Sequence, residues 1–332
     1  LRRVILDVDT GVDDALAILL ALASPELEVE AITTVDGNVD VGRTTLNTLK
    51  VLEMAGVRDI PVAMGMARSL SPKGSERMLV EGEIIEGGEY FHGRDGLADL
   101  GLPPPRLEAS REHAVDLMIR LVEEALGEIT IITLGPLTNL AVALLREPEM
   151  VEMIGEHIMM GGWFALTPYS HGNVTPVSEF NIWHDPWAAW IVFHSGMKTT
   201  AVGLDVALDP SARLRGEHLE RFPREGGLGS FTHALMAFLV ERERGAAALY
   251  DPMAVAAAID RGLFQVRGLP VEVETREGIT RGMTITDRRP DWEAKMRMEK
   301  TLPLIDVCAA VNGEDFLKLF LERMREMVSR PS

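Results

Sequence analysis

Through the first two hundred residues, apolar runs of strand length alternate with longer stretches whose apolar residues recur at helical spacing. The short runs predict strands near 3–9, 28–35, 60–64, 128–134, 157–161 and 199–204, and the intervening stretches predict helices near 13–23, 41–55, 111–126, 138–146 and 185–195. An order that begins strand, helix, strand, helix, strand predicts an α/β fold, an open and mostly parallel doubly wound sheet with helices on both faces. Two stretches interrupt it. Residues 65–110, with SPKGSE, EGG and LPPPR, read as a long loop region, and 205–250 as a largely helical insertion. Beyond them, VEVETREGITRGMTITD (271–287) alternates like a small hairpin, and FLKLFLERMREMV is an amphipathic terminal helix. No repeat, low-complexity tract or linker divides the chain, so residues 1–332 are expected to form a single domain.

Composition narrows the partners. The 332 residues are 46% hydrophobic and 25% charged, enough to bury a large core. Lys and Arg total 33 against 51 Asp and Glu, a net charge of −18 without a basic cluster, which disfavours nucleic acid and anionic membranes. The longest apolar run, ALAILLALA, is about half the length of a membrane span. A single cysteine, Cys308, excludes an intramolecular disulfide or a CxxC site and is compatible with a reducing cytoplasm, the expected location. The opening LRRVILDVD lacks the regions of a signal peptide, although Leu at position 1 leaves room for residues upstream.

The chemistry concentrates in VILDVDTGVDD, where Asp7, Asp9, Asp13 and Asp14 fall within eight positions at a strand-to-helix junction. One such Asp is ordinarily a helix cap, because carboxylates complement the unpaired amides and positive dipole end of a helix. Four like charges together need a compensating cation or protonation, and no Lys or Arg lies between Arg3 and Arg43. An all-oxygen set suits Ca²⁺ or Mg²⁺ better than zinc. Further polar groups fall at the same predicted edge: Asn38 after the second strand, the backbone carbonyl of Leu134 in LGPLTN, and Asn173, Glu179 and Asn181 in GNVTPVSEFNIWHDP. Neutral and acidic groups of this kind suit several hydroxyls, and no Gly-rich phosphate loop with a Lys is present.

DVDTGVDDALAI, TTVDGN, LGPLTN, MMGG, GNVTPVSEFNIWHDP and, farther on, YDPMAVA resemble, in order, the inosine-uridine nucleoside hydrolase family. The resemblance implies the open α/β fold of that family, a ribonucleoside substrate and a homodimeric or homotetrameric assembly. It implies Ca²⁺ held by Asp9, Asp14, the carbonyl of Leu134 and Asp251, with Asp9 also the general base for the water that attacks C1′. Asp13, Asn38 and Asn181 match ribose-hydroxyl contacts, Asn173 and Glu179 match 5′-hydroxyl contacts, and Met160 matches a ribose-packing position. Asp7 is expected to support the metal site. The implied reaction is hydrolysis of an N-glycosidic bond through an oxocarbenium-like transition state.

Two positions depart from the pattern. Where purine- and uridine-cleaving members often carry a leaving-group His, this chain has Tyr250, a poorer match to neutral-pH acid catalysis. His92, in FHGRDGLAD, matches a base-pocket histidine and is the best alternative acid, with His233 weaker. The segment WFALTPYSH is also longer than the family pattern; Trp163, Phe164 and Tyr169 could stack on a base or pack in the loop. Trp183, Trp187 and Trp190, at helical spacing, read as core or interface. Two other functions compete. The D-x-D of ILDVDTG offers a Mg²⁺-dependent haloacid-dehalogenase-like phosphatase, against which Gly11 stands where Thr or Val is expected. A non-catalytic nucleoside-binding protein on the same scaffold would account for the missing His.

Overall fold

A computed structural model of the chain describes residues 1–72, 77–80, 83–287 and 302–329. In chain order its strands are β1 (Arg2–Val8), β2 (Leu27–Thr34), β3 (Val62–Met64), β4 (Arg77–Val80), β5 (Glu83–Glu86), β6 (Ile129–Thr133), β7 (Glu156–Met160), β8 (Thr199–Val202), β9 (Leu214–Arg215), β10 (Ala246–Ala247), β11 (Phe264–Val273), β12 (Thr284–Thr286) and β13 (Leu304–Val311). Nine of them form one sheet in the order β12-β11-β13-β8-β7-β6-β1-β2-β3. From β13 to β3 all neighbours are parallel, while β11 runs antiparallel to both β13 and β12. This is the open, mostly parallel α/β sheet that the alternating pattern predicts.

β1 shows why the runs are continuously apolar. Val4, Leu6 and Val8 pack into one hydrophobic cluster with the helices Val12–Ala23, Gly227–Arg242, Tyr250–Ile259 and Gly313–Val328. Ile5 points the opposite way, into a second cluster with the helices Ala114–Glu124, Thr138–Arg146 and Pro186–His194. A strand with helices on both faces has no solvent side, so alternation disappears. The chain leaves β1 toward β2 and β3 and later returns to β6 on its other side. Such a reversal opens a crevice at the carboxyl ends of the strands, where ligands bind in this class of sheet.

Three expectations change. Residues 65–110 are not all loop: β4 and β5 pair antiparallel and lead into the helix Gly87–His92. The predicted helix 185–195 is present as Pro186–His194, but a further short helix, Phe180–His184, precedes it in what reads as loop; the two are separate because Asp185 adopts φ −135°, ψ 77° ahead of Pro186, as a residue preceding proline tends to. β13, from LIDVCAAV, was absent from the predicted strands, yet it inserts between β8 and β11 and joins the hairpin to the parallel core. The insertion at 205–250 is largely helical and also contains the short antiparallel pair β9 and β10. Among the described residues no helix is long and apolar enough to cross a membrane.

Candidate active site

β1 stops at Val8, so Asp9 stands just beyond its carboxyl end and the following helix begins at Val12. Asp14 closes this junction on itself: its Oδ1 accepts the Asp9 amide at 3.2 Å and its Oδ2 the Gly11 amide at 2.9 Å. The loop after β2 approaches from the side. The Asn38 amide donates to Asp9 Oδ2 at 2.8 Å, and its side-chain Nδ2 to Asp14 Oδ2 at 3.2 Å. Room for the Asp9 carboxylate depends on glycine. A Cβ at Gly37 would lie 2.1 Å from Asp9 Oδ2, and one at Gly135 would lie 2.8 Å from Oδ1.

Asp251 comes from the far end of the sequence. It is the second residue of the helix Tyr250–Ile259, which packs on the helix Val12–Ala23 and brings Asp13, Asp14 and Asp251 together. One oxygen from each of these three buried carboxylates lies within 4.8 Å of the others. Asp9 is tied to Asp14 through its backbone amide, and its carboxylate lies close enough to feel the charges of Asp14 and Asp13. Burial, reinforced by neighbouring charge, pushes the Asp14 carboxyl up to about 6, and burial alone does the same for Asp13. Asp9 and Asp251 are raised well above the ordinary carboxyl range, first by burial and then by the surrounding aspartates. Asp13 Oδ1 is buried without a hydrogen-bond partner. Converging buried carboxylates with an unsatisfied oxygen are what a hard divalent cation would neutralise, so the donor set fits Ca²⁺ or Mg²⁺.

Asp7 does not share this cluster. Its Oδ1 accepts from Thr33 Oγ1 at 2.6 Å and Asn139 Nδ2 at 2.7 Å, and burial pushes its carboxyl up to about 7. Asn139 also holds Thr34 O and the Met66 amide, so Asp7 anchors the loops behind the carboxylates. The Leu134 carbonyl, one of the expected metal ligands, accepts Asn181 Nδ2 at 2.6 Å. The same amide reaches Met160 O at 3.1 Å, tying the ends of β6 and β7 together. A carbonyl has two lone pairs, so Leu134 O keeps one for another ligand. Glu179 caps the helix Phe180–His184, accepting the amides of Asn181 and Ile182 and that of Gly162 across the loop. Asn173 is exposed farther along that loop, with its amide on Ser178 O at 3.1 Å.

His92 meets the helix start. Its Nδ1 accepts the Val12 amide at 3.1 Å and lies 3.6 Å from Asp13 Oδ1, so a neutral ring carries its proton on Nε2. Burial pushes this imidazole down to about 4, against the pull of Asp14. Tyr250, the first residue of its helix, has a phenol held above its ordinary range by burial and by Glu243, with Asp13 and Glu179 adding to this and Arg213 opposing it. His233 sits on the helix Gly227–Arg242, where burial first and then Arg224, rather than the carboxylates, push its imidazole down. The aromatic residues of the longer loop serve its packing. Phe164 is buried, Trp163 Nε1 donates to Ser170 Oγ at 2.9 Å, and Tyr169 Oη to Asp209 Oδ2 at 2.8 Å.

Comparison with known proteins decides the family. The model of the inosine-uridine preferring nucleoside hydrolase family matches residues 4–318. The chain belongs to that family. An inosine-uridine preferring nucleoside hydrolase of Crithidia fasciculata is 36% identical over 294 residues, covering 87% of this chain and 88% of the relative. A pyrimidine-specific ribonucleoside hydrolase of Photobacterium profundum is 36% identical over 330 residues, covering 97% and 98%. A solved purine-preferring ribonucleoside hydrolase from Gardnerella vaginalis superposes with a TM-score of 0.84 at 31% identity, covering 98% of this chain and 99% of that one. The match includes the ILDVDTG segment on which the phosphatase alternative rested, and neither alternative function gains support from these relatives.

One group of this nucleoside hydrolase had no signal in the sequence. Glu243 accepts the Ala248 amide through both oxygens at 3.2 Å and pairs with Arg213 Nη1 at 2.9 Å, in the segment leading to Tyr250. Burial pushes its carboxyl up to about 7. ERER at 241–244 reads as an ordinary polar helix end, and only β9 pairing with β10 brings Arg213 to it.

Proposed function

We propose that this nucleoside hydrolase releases ribose and a free base from ribonucleosides in a Ca²⁺-dependent reaction, as a homodimer or homotetramer of the cytoplasm. The observation that carries the reading is the buried convergence of Asp13, Asp14 and Asp251, with Asp9 held to Asp14 by its amide, beside the polar side chains of Asn38 and Asn181. Asp9, Asp14, Asp251 and the Leu134 carbonyl would hold the ion, with Asp13 at its border. When bound, Ca²⁺ supplies positive charge that lets these carboxylates ionise and acidifies water beside it.

Asp9, with Oδ2 fixed by the Asn38 amide, takes the proton of the attacking water. Asp13, Asn38 and Asn181 orient the ribose 2′- and 3′-hydroxyls. Both Asn181 hydrogen bonds on the carbonyl side use its Nδ2, which leaves Oδ1 to accept from a hydroxyl. Glu179 and Asn173 hold the 5′-hydroxyl, and Met160 packs under the sugar. As the glycosidic bond stretches, the surrounding oxygens favour the positive charge that develops on the sugar. The departing base meets two groups that keep their protons at neutral pH, the Tyr250 phenol and His92 Nε2–H. They stabilise it as hydrogen-bond donors rather than as strong acids.

Release of reducing sugar from purine and pyrimidine ribonucleosides, deoxynucleosides and nucleotides tests the proposal. Both base classes belong in the panel because both occur in relatives' names. Turnover of at least one ribonucleoside is expected, with Asp9→Asn slower by about 10³-fold. Equal ribose release by the two proteins, or phosphate release without ribose, would overturn it.

A further inference from the structure

The helix Phe180–His184, which carries Asn181 and is capped by Glu179, has five residues, and the last carbonyls of a helix lack partners within it. Arg281, 1% exposed, supplies them from the loop between β11 and β12. Its Nε donates to Trp183 O at 2.9 Å and its Nη2 to His184 O at 3.2 Å. Its guanidinium carbon lies 5.3 Å from the centre of the Trp183 ring, and Glu277 is its counterion.

The rest of the 281–284 segment follows the site loop closely. Arg281 O accepts from Ser178 Oγ, and Ser178 forms a bridge with Met283. Thr284 Oγ1 accepts the Trp163 amide at 3.1 Å and donates to Trp163 O at 2.6 Å. Gly282 has φ +71°, and a Cβ there would lie 2.4 Å from Trp183 Cα, so the approach admits only glycine. The contacts at 163, 178 and 183–184 bracket Glu179 and Asn181. A buried guanidinium is retained only where its donors are used, and here they are used on the element that presents both residues.

We propose that Arg281 is a positioning residue for ribose binding, a strap from the edge hairpin that sets where Glu179 and Asn181 stand. The roles of those two residues rest on the function proposed above. Arg281 touches none of Asp9, Asp13, Asp14 or Asp251, so its effect should fall on the sugar and spare the metal. Arg281→Lys keeps the charge and loses the forked geometry; Ser178→Ala removes one contact of the strap. Steady-state kinetics and calorimetric Ca²⁺ binding without substrate are measured on both full-length variants.

Arg281→Lys is expected to raise KM about 10-fold and Ser178→Ala about 3-fold, with Ca²⁺ affinity within about 3-fold of wild type. KM unchanged in folded Arg281→Lys, or Ca²⁺ affinity falling in step with KM, would overturn the proposal. If Arg281→Lys does not fold, Ser178→Ala decides on the same criteria. If the wild type binds nucleosides without cleaving them, hydrolysis fails as a reading, and the strap is judged by nucleoside affinity, which should fall by the same factors. If the wild type binds none, both readings fall.

Discussion

Replacing Asp13 with Asn should make the metal-free protein more stable at alkaline pH, although it damages the site. Asp13 Oδ1 has no hydrogen-bond partner, and burial pushes the carboxyl from 3.8 to about 6. Between about pH 4 and 6 the folded chain therefore holds a proton that the unfolded chain has released. Stability falls as pH rises through that window, and the full loss is present above it. The shift corresponds to about 3 kcal/mol, which for a chain of this length moves the melting temperature by about 4 °C. His92 and His157, pushed by burial down to about 4 and about 3, act in the opposite sense, losing stability as pH falls below their unfolded values. Both chains carry these histidines, so the difference between variant and wild type largely cancels them. The assay is urea or thermal unfolding in chelator from pH 4 to 8.5. The advantage of Asp13→Asn should grow from under about 1 kcal/mol near pH 4 to at least about 3 kcal/mol at pH 8, since Asp14 and Asp251 are also relieved of its charge, and shrink when Ca²⁺ is saturating. A difference of either sign that does not vary with pH would refute the buried-charge reasoning.

Chelation should abolish ribose release and Ca²⁺ restore it; Ca²⁺ at a hundred times its dissociation constant should add about 2.7 kcal/mol to unfolding, read as a thermal shift. Loss of activity that Ca²⁺ fails to restore counts against the ion assignment. The kcat of wild type should stay flat from pH 7 to about 9, because the donors proposed for the leaving base remain protonated there. Tyr250→Phe should lower kcat about 10-fold without moving the acid limb, and a fall near pH 7 that His92→Gln removes would contradict the assignment.

The carboxylate site was legible where its residues act through local chain geometry. Asp9, Asp13 and Asp14 meet because a strand hands over to a helix within six residues, and the repulsion among them can be read from that spacing alone. Asp251 needed the family resemblance, since nothing near it in the sequence points toward residue 14. The parallel strands were legible as apolar runs, while β13 was missed and its neighbours on the sheet edge were only partly anticipated. What stayed hidden depends on distant backbone meeting a side chain. Leu134 O is met by an Asn 47 positions away, Glu243 by an Arg 30 positions away, and the carbonyls of Trp183 and His184 by Arg281. None of these pairings leaves a periodicity, and Arg281, in a hairpin loop that also holds Glu274, Arg276 and Glu277, looks like one more solvent-exposed charge.

The packing of the helix Tyr250–Ile259 on the helix Val12–Ala23 also orders events in time. As the chain emerges, Asp9, Asp13 and Asp14 are made first and stand together with their repulsion unrelieved, and their last carboxylate arrives more than two hundred residues later. Closing so long a loop is entropically unfavourable, and the helix that closes it rests on β7 and β8 as well as on the helix Val12–Ala23. A cation that needs both segments would act as a clasp between the first and last thirds of the polypeptide, and its affinity would report the completion of folding.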